Sequence, residues 1–181
     1  ATGSDGQVLT SAGAGAPPAF EAAAGITLGT PVASTSGATI DFTGIPSGTK
    51  RIVVGWSGVS FSGSSQPLIQ IGDAGGIETS GYLGGTCKIQ GSSALTDIQS
   101  DGLRFEAASG VNIIHGTAVW NLLDSSTFTW SGVLNMSITS SNYWISGATV
   151  KSLSAELTQI RMTTTGGSDT FDAGKINIQY E

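Results

Sequence analysis

Twelve residues, "TFTWSGVLNMSI" (127–138), constrain this chain more than any others. Phe128, Trp130, Gly132, Leu134, Met136 and Ile138 fall on one side of a two-residue repeat, and Thr127, Thr129, Ser131, Asn135 and Ser137 on the other, with Val133 the one exception. A period of two is the side-chain repeat of a β-strand, and a helix would scatter these residues around its axis. The stretch therefore reads as a strand with one buried face. "GLRFEA" repeats the pattern with Leu103 and Phe105 inside, Arg104 and Glu106 outside, and "KINIQYE" sets Ile176, Ile178 and Tyr180 against Asn177, Gln179 and Glu181. "RIVVGWSGVSF" and "VNIIHGTAVWNLL" are apolar on both sides, as expected of central strands or of strands also covered by a neighbour.

Turn signals separate these runs: Ser36-Gly37, Pro46-Ser47-Gly48, Gly63-Ser64-Ser65, Asp73-Ala74-Gly75-Gly76, Asp124-Ser125-Ser126 and Gly166-Gly167-Ser168-Asp169. Their spacing is that of sandwiches and barrels. "SLSAELTQIRM" has a helical phase through Leu153, Leu157 and Ile160, but its Ser/Thr content and β-branched neighbours favour two short strands and a turn. Without crossover helices a parallel α/β sheet is excluded. The expected fold is all-β, an antiparallel two-sheet β-sandwich, jelly-roll-like, over residues 26–181. No repeat suggests a propeller or solenoid.

Residues 1–25 are different. "GSDGQVLTSAGAGAPPAFEAAAG" holds Val8, Leu9 and Phe20 as its only large apolar side chains, and Pro17-Pro18 bars a helix through it. An extended connector arm is expected, with a helical turn at Ala22-Ala23-Ala24 ended by Gly25. Such a segment cannot bury enough apolar surface to order by itself, so partner chains should order it.

Charge narrows the function. Of 181 residues only 11% are charged, against roughly 25% in an ordinary soluble domain. So sparse a surface gives little protection against association and points to an obligate oligomer. The net charge is −6 and Lys50-Arg51 is the only adjacent basic pair. Nucleic-acid binding needs a basic footprint that is missing here, and anionic membranes are disfavoured for the same reason. No run of 18 apolar residues suggests membrane insertion, and no basic-then-apolar signal peptide opens the chain. The sequence starts at Ala1, not Met, which is compatible with a processed or excised piece from which targeting signals could be missing.

Four stretches resemble tail-fibre and related tail proteins of tailed bacteriophages. "GSDGQVLTSAGAGAPPAFEAA" is similar to a segment that precedes a C-terminal β-domain in such proteins. "LGTPVASTSGATIDFTGIPSGTKRIVV" and "PLIQIGDAGGIETSGYLG" resemble the start of one such domain, and "DTFDAGKINIQYE" its end. The middle, about Gln90 to Thr149, carries no resemblance. The resemblance implies a virion tail protein, extracellular and homotrimeric. Its distal domain would meet a host surface glycan or outer-surface protein, and its arm would join the rest of the tail fibre. It assigns no binding residue.

The residues themselves offer little catalytic chemistry. Cys87 is the only cysteine, so no intrachain disulfide or cysteine zinc cluster can form, and it reads as a small buried hydrophobe. His115 is the only histidine, in the strand-like "NIIHGTAV" with no G-x-S-x-G elbow in the chain, and reads as a core or interface residue. Glycosidase chemistry needs two carboxylates across a sugar. Asp97, Asp101 and Glu106, or Asp169 and Asp172, are the candidates, each better read as a turn or solvent-facing residue. Calcium at "GDAGG" or "SDTFDAG" is disfavoured because turn aspartates cap their own backbone. No catalytic residue, metal or cofactor is expected.

Glycan binding remains. Sugars stack on exposed aromatic rings while polar groups take their hydroxyls. Tyr143 and Trp144 are adjacent, so in a strand one of them must leave the core. Tyr82 lies among glycines in an expected loop, where function gathers. Tyr82, Tyr143 and Trp144 are the candidate ligand contacts. The expected function is host attachment without catalysis. A structural virion module (head decoration or fibre trimerisation) is the alternative, and a polysaccharide depolymerase the third.

Overall fold

The computed structural model describes residues 2–22, 25–106 and 109–181. The described residues hold no helix, and their strands are, in order, β1 (Gln7–Thr10), β2 (Ala19–Ala22), β3 (Thr27–Leu28), β4 (Val32–Ala33), β5 (Ile40–Thr43), β6 (Arg51–Phe61), β7 (Pro67–Asp73) and β8 (Gly76–Ile77). They continue as β9 (Leu83–Gln90), β10 (Ser93–Gln99), β11 (Leu103–Arg104), β12 (Ile114–Asp124), β13 (Thr129–Ile138), β14 (Tyr143–Ser152), β15 (Gln159–Thr164) and β16 (Phe171–Tyr180). Each of the six turn signals separates two of these strands.

Two antiparallel sheets form a sandwich. The larger has nine strands in the order β10-β9-β14-β13-β12-β6-β16-β3, with β4 also on β16; the smaller has five, β11-β7-β15-β5, with β8 on β7. β12, β13 and β14 run as a meander, whereas β6 and β16 meet from distant parts of the chain. The strands apolar on both sides, β6 and β12, both lie in the interior of the large sheet.

Alternation fixes which face is buried. On β13, Trp130, Leu134, Met136 and Ile138 point into the sandwich, joined by Ala118 and Trp120 of β12 and Ile52 and Val54 of β6. The small sheet answers with Ile69, Ile71, Ile160 and Met162. Each buried Leu, Ile, Val or Met among them contributes about 1.5–3 kcal/mol by leaving water. Gly132 stands directly opposite Trp120, and a Cβ there would lie 2.8 Å from the indole ring. The one glycine in the buried series thus makes room for the largest side chain beside it.

A bulge bends the middle of the large sheet. Gly58 is the extra residue of β6, with φ +68°, and the register slips on both flanking strands. Gly174 (φ +93°) packs against it so closely that a Cβ would sit 2.5 Å from the Gly58 carbonyl. His115 secures the kink, its Nδ1 accepting the Gly58 N–H at 3.2 Å. The extra residue loses its ladder partner at a bulge, and this imidazole replaces it.

The leader does not run out as a single arm. β1 and β2 pair with each other, Val8 opposite Glu21 and Leu9 opposite Phe20. Pro17 and Pro18 fall in the loop between them, so neither owes an N–H to the ladder. Val8, Leu9 and Phe20 remain exposed. Ala22 ends β2, and the helical turn expected from there onward falls on residues outside those described. Residues 153–158, expected as strand and turn, form a loop between β14 and β15, with Leu153 and Leu157 anchored in the core.

Candidate functional site

The β13–β14 hairpin carries two of the three aromatic candidates. Ile138 pairs with Tyr143 and Ser137 with Trp144, leaving the four-residue loop 139–142 between them. Asn142 ends that loop at φ +50°, a conformation asparagine tolerates better than most residues. Alternation along β14 then sends the neighbouring rings to opposite faces. Trp144 is 48% exposed on the outer face, beside Ile89 of β9. Tyr143 turns to the inner margin, where its hydroxyl accepts the Asn112 side-chain amide at 2.6 Å and Lys88 Nζ lies 4.8 Å over its ring. Burial raises the Tyr143 phenol above its ordinary value, opposed by the Asn112 hydrogen bond.

The hairpin end is braced from below. Ser141 donates its hydroxyl to the Asn112 side-chain Oδ1 at 2.9 Å, and Ser140 Oγ accepts the Ile113 N–H at 3.0 Å. An open cleft of about 480 Å³ lies against this end, bordered by Ile89, Gly91, Ser137, Thr139, Asn142 and both rings. One apolar ring beside hydroxyl and amide groups suits a ligand that is apolar on its faces and polar at its edge. Ile89 and Asn142 were not among the sequence candidates. Finding Ile89 requires the pairing of β9 with β14, which no local pattern reveals.

Tyr82 corrects an expectation. It does lie in a loop before β9, but the ring points inward and is 0% exposed. Its hydroxyl accepts the Ile71 N–H at 2.8 Å and lies 2.9 Å from the Glu78 carbonyl, to which it can donate. Burial pushes the phenol well above its ordinary value. Loop position says nothing about side-chain direction, and here the ring completes the core while its oxygen serves the backbone of Ile71 on β7 and of Glu78 just after β8. Lys151, also buried, sits over the same ring and pairs with Glu78 at 3.0 Å. Tyr82 therefore cannot contact a ligand at the surface.

The carboxylate candidates are engaged elsewhere. Arg104 holds both Asp97 and Asp101 at 2.9 Å, and Glu106 accepts the Gln66 amide at 2.6 Å. Asp169 accepts the Ser65 N–H at 2.7 Å, and Asp172 the Ser60 hydroxyl. In "GDAGG", Asp73 caps Gly75 at 2.8 Å as turn aspartates do, and its other oxygen takes the Ser154 hydroxyl and the Ser154 and Ala155 N–H groups at 2.6, 3.1 and 3.0 Å. The Ser154 hydroxyl leads the causes that hold this carboxyl below its usual range. Among the described residues no group of three or more His, Cys, Asp or Glu is placed to hold a metal ion. Cys87 is only partly buried, on the outer face of β9.

No family model, no curated protein and no solved structure matches the chain.

Proposed function

We propose that this chain is the distal, non-enzymatic attachment module of a bacteriophage tail appendage, and that the cleft beside Trp144 takes a glycan of the bacterial surface. The carrying observation is the half-exposed Trp144 ring at a braced hairpin end, with Ser137, Thr139 and Asn142 around it. A sugar ring stacks its C–H face on such an indole, and its hydroxyls find the polar rim. The four stretches that resemble tail-fibre proteins supply the biological setting. The leader, whose strands pair with one another, suits a connector to the rest of a homotrimeric appendage. Binding without turnover agrees with carboxylates already committed to Arg104, to backbone amides or to hydroxyls.

The test is binding of the chain to bacterial cells and to an array of bacterial surface polysaccharides, with wild type beside Trp144→Ala. Attachment that the substitution reduces at least tenfold supports the site. A folded assembly that binds neither cells nor polysaccharides overturns the attachment reading and favours a structural virion module. Cleavage of a polysaccharide, abolished by substituting Asp101, Glu106, Asp169 or Asp172, overturns the non-enzymatic reading.

A further inference from the structure

The outer face of the large sheet has no counterpart within the chain. Its register lines up Ile98, Gly85, Ala148, Val133 and Val119 across five strands, and the row continues onto β6 at Val53. Ile98 is 89% exposed and Val133 40% exposed. On one side the next row adds Leu83, 77% exposed, and Val150. On the other lies a row of Thr, Ser, Asn and Cys87, followed by the row of Ile89 and Trp144. Through these four rows, from β10 to β12, no Asp, Glu, Lys or Arg points outward. Charge returns beyond these rows, with Asp124 at the end of β12, Arg51 on β6 and Lys175 on β16.

We infer that this chargeless outer face, over β10, β9, β14, β13 and β12, is the surface by which copies of the chain pack against one another. The inference rests on the homo-oligomeric part of the reading above and names the surface that the oligomer uses. Three considerations select a second copy as the occupant. The chain carries a net charge of −6, so copies repel through their charged surfaces, and an approach through the neutral face meets the least opposition. The face offers no charge to attract a nucleic acid, an acidic peptide or an anionic lipid. Its size also fits. Five strands about 4.8 Å apart and four rows about 6.8 Å apart give roughly 600 Å² of flat area before side-chain relief, close to the ~800 Å² per partner of a standard stable interface. Trp144 lies four residues along β14 from Ala148, about 14 Å away. It therefore sits at the rim of the contact, where a ligand can still reach it.

The test measures particle mass by light scattering for the wild-type chain at about 10 µM, beside the outer-face variant Val133→Lys/Ala148→Lys and the control Thr43→Lys on the small sheet. The expected result is an oligomer for wild type and control and a folded monomer for the double variant, with at least a 100-fold weaker assembly constant. Thiol labelling of Cys87 is the independent readout, decisive if the double variant fails to fold. In the wild-type assembly it should react at least tenfold slower than after dilution to monomer. A monomeric wild type overturns the oligomer reading and this inference together. An oligomer in which the lysines change nothing, or in which Cys87 labels equally fast before and after dilution, overturns this inference alone.

Discussion

The two faces of the large sheet are built from the same strands and answer to different partners. The inner face holds Trp120, Trp130, Met136 and Ile138, fully or almost fully buried against the small sheet. The outer face presents mostly valine, alanine, serine, threonine and asparagine, with Leu83, Ile89, Ile98 and Trp144 among them, and no Asp, Glu, Lys or Arg in the four rows from β10 to β12. One alternation therefore specifies two surfaces. Bulky, interdigitating side chains make the inner one a core that cannot be opened without unfolding. Mostly small and polar side chains, with a few exposed apolar ones, make the outer one a surface that tolerates exposure and still has apolar area to offer.

The sharpest way to break this contrast is Trp120→Ala. It empties a fully buried site opposite Gly132 and should cost about 3–5 kcal/mol in chemical denaturation. A loss below ~1 kcal/mol would mean that the inner face is not the core. Tyr82→Phe is next. It leaves the Ile71 N–H without its 2.8 Å acceptor, so a loss of about 1–3 kcal/mol is expected from equilibrium unfolding. An unchanged midpoint would argue that the ring faces solvent after all.

Acid should also act on the inner structure. The Asp73 carboxyl is held below its ordinary value, chiefly by the Ser154 hydroxyl. Its folded state binds fewer protons than its unfolded state over that range, so its contribution is complete above the unfolded value of about 3.9 and fades as pH falls through the folded one. Melting temperature followed from pH 6 to pH 2 should show this, and Asp73→Asn should flatten the acid slope. The smallest effect belongs to the outer face. Val133→Thr, at a partly exposed position, should change the stability of the isolated subunit by no more than about 0.5 kcal/mol, measured at concentrations low enough to suppress assembly.

Strand alternation made the inner face legible in the sequence. Trp130, Leu134, Met136 and Ile138 needed only the period of two, and β6 and β12 announced themselves as interior strands by being apolar on both sides. The turn signals did the same for the connections. β9 and β10 were harder, because "LGGTCKIQ" and "SALTDIQ" lack a bulky alternating face. They are strands because β14 supplies a ladder and Gly91-Ser92 a tight turn, with Gly91 at φ +60°. The leader hairpin was hidden by its composition, since its pairing relies on backbone hydrogen bonds with little apolar burial. For the candidate site, the sequence required that Tyr143 or Trp144 leave the core, but which ring turned outward depended on strand phase. Tyr82 misled because its direction is set by the Ile71 N–H of β7 and the Glu78 carbonyl, and no residue pattern around Tyr82 reports where its hydroxyl goes.

The pairing of β6 with β16 carries a consequence for synthesis. β6 ends at Phe61 and β16 begins at Phe171. At translation speeds of 5–20 residues per second, the earlier strand waits on the order of 5–20 s for the later one. Throughout that delay Val53, Val54 and Trp56 border an open ladder that any other nascent copy can enter. Ribosomes close together on one message would thus face a choice between correct closure and cross-pairing, and slow, well-spaced expression should favour recovery of the native particle.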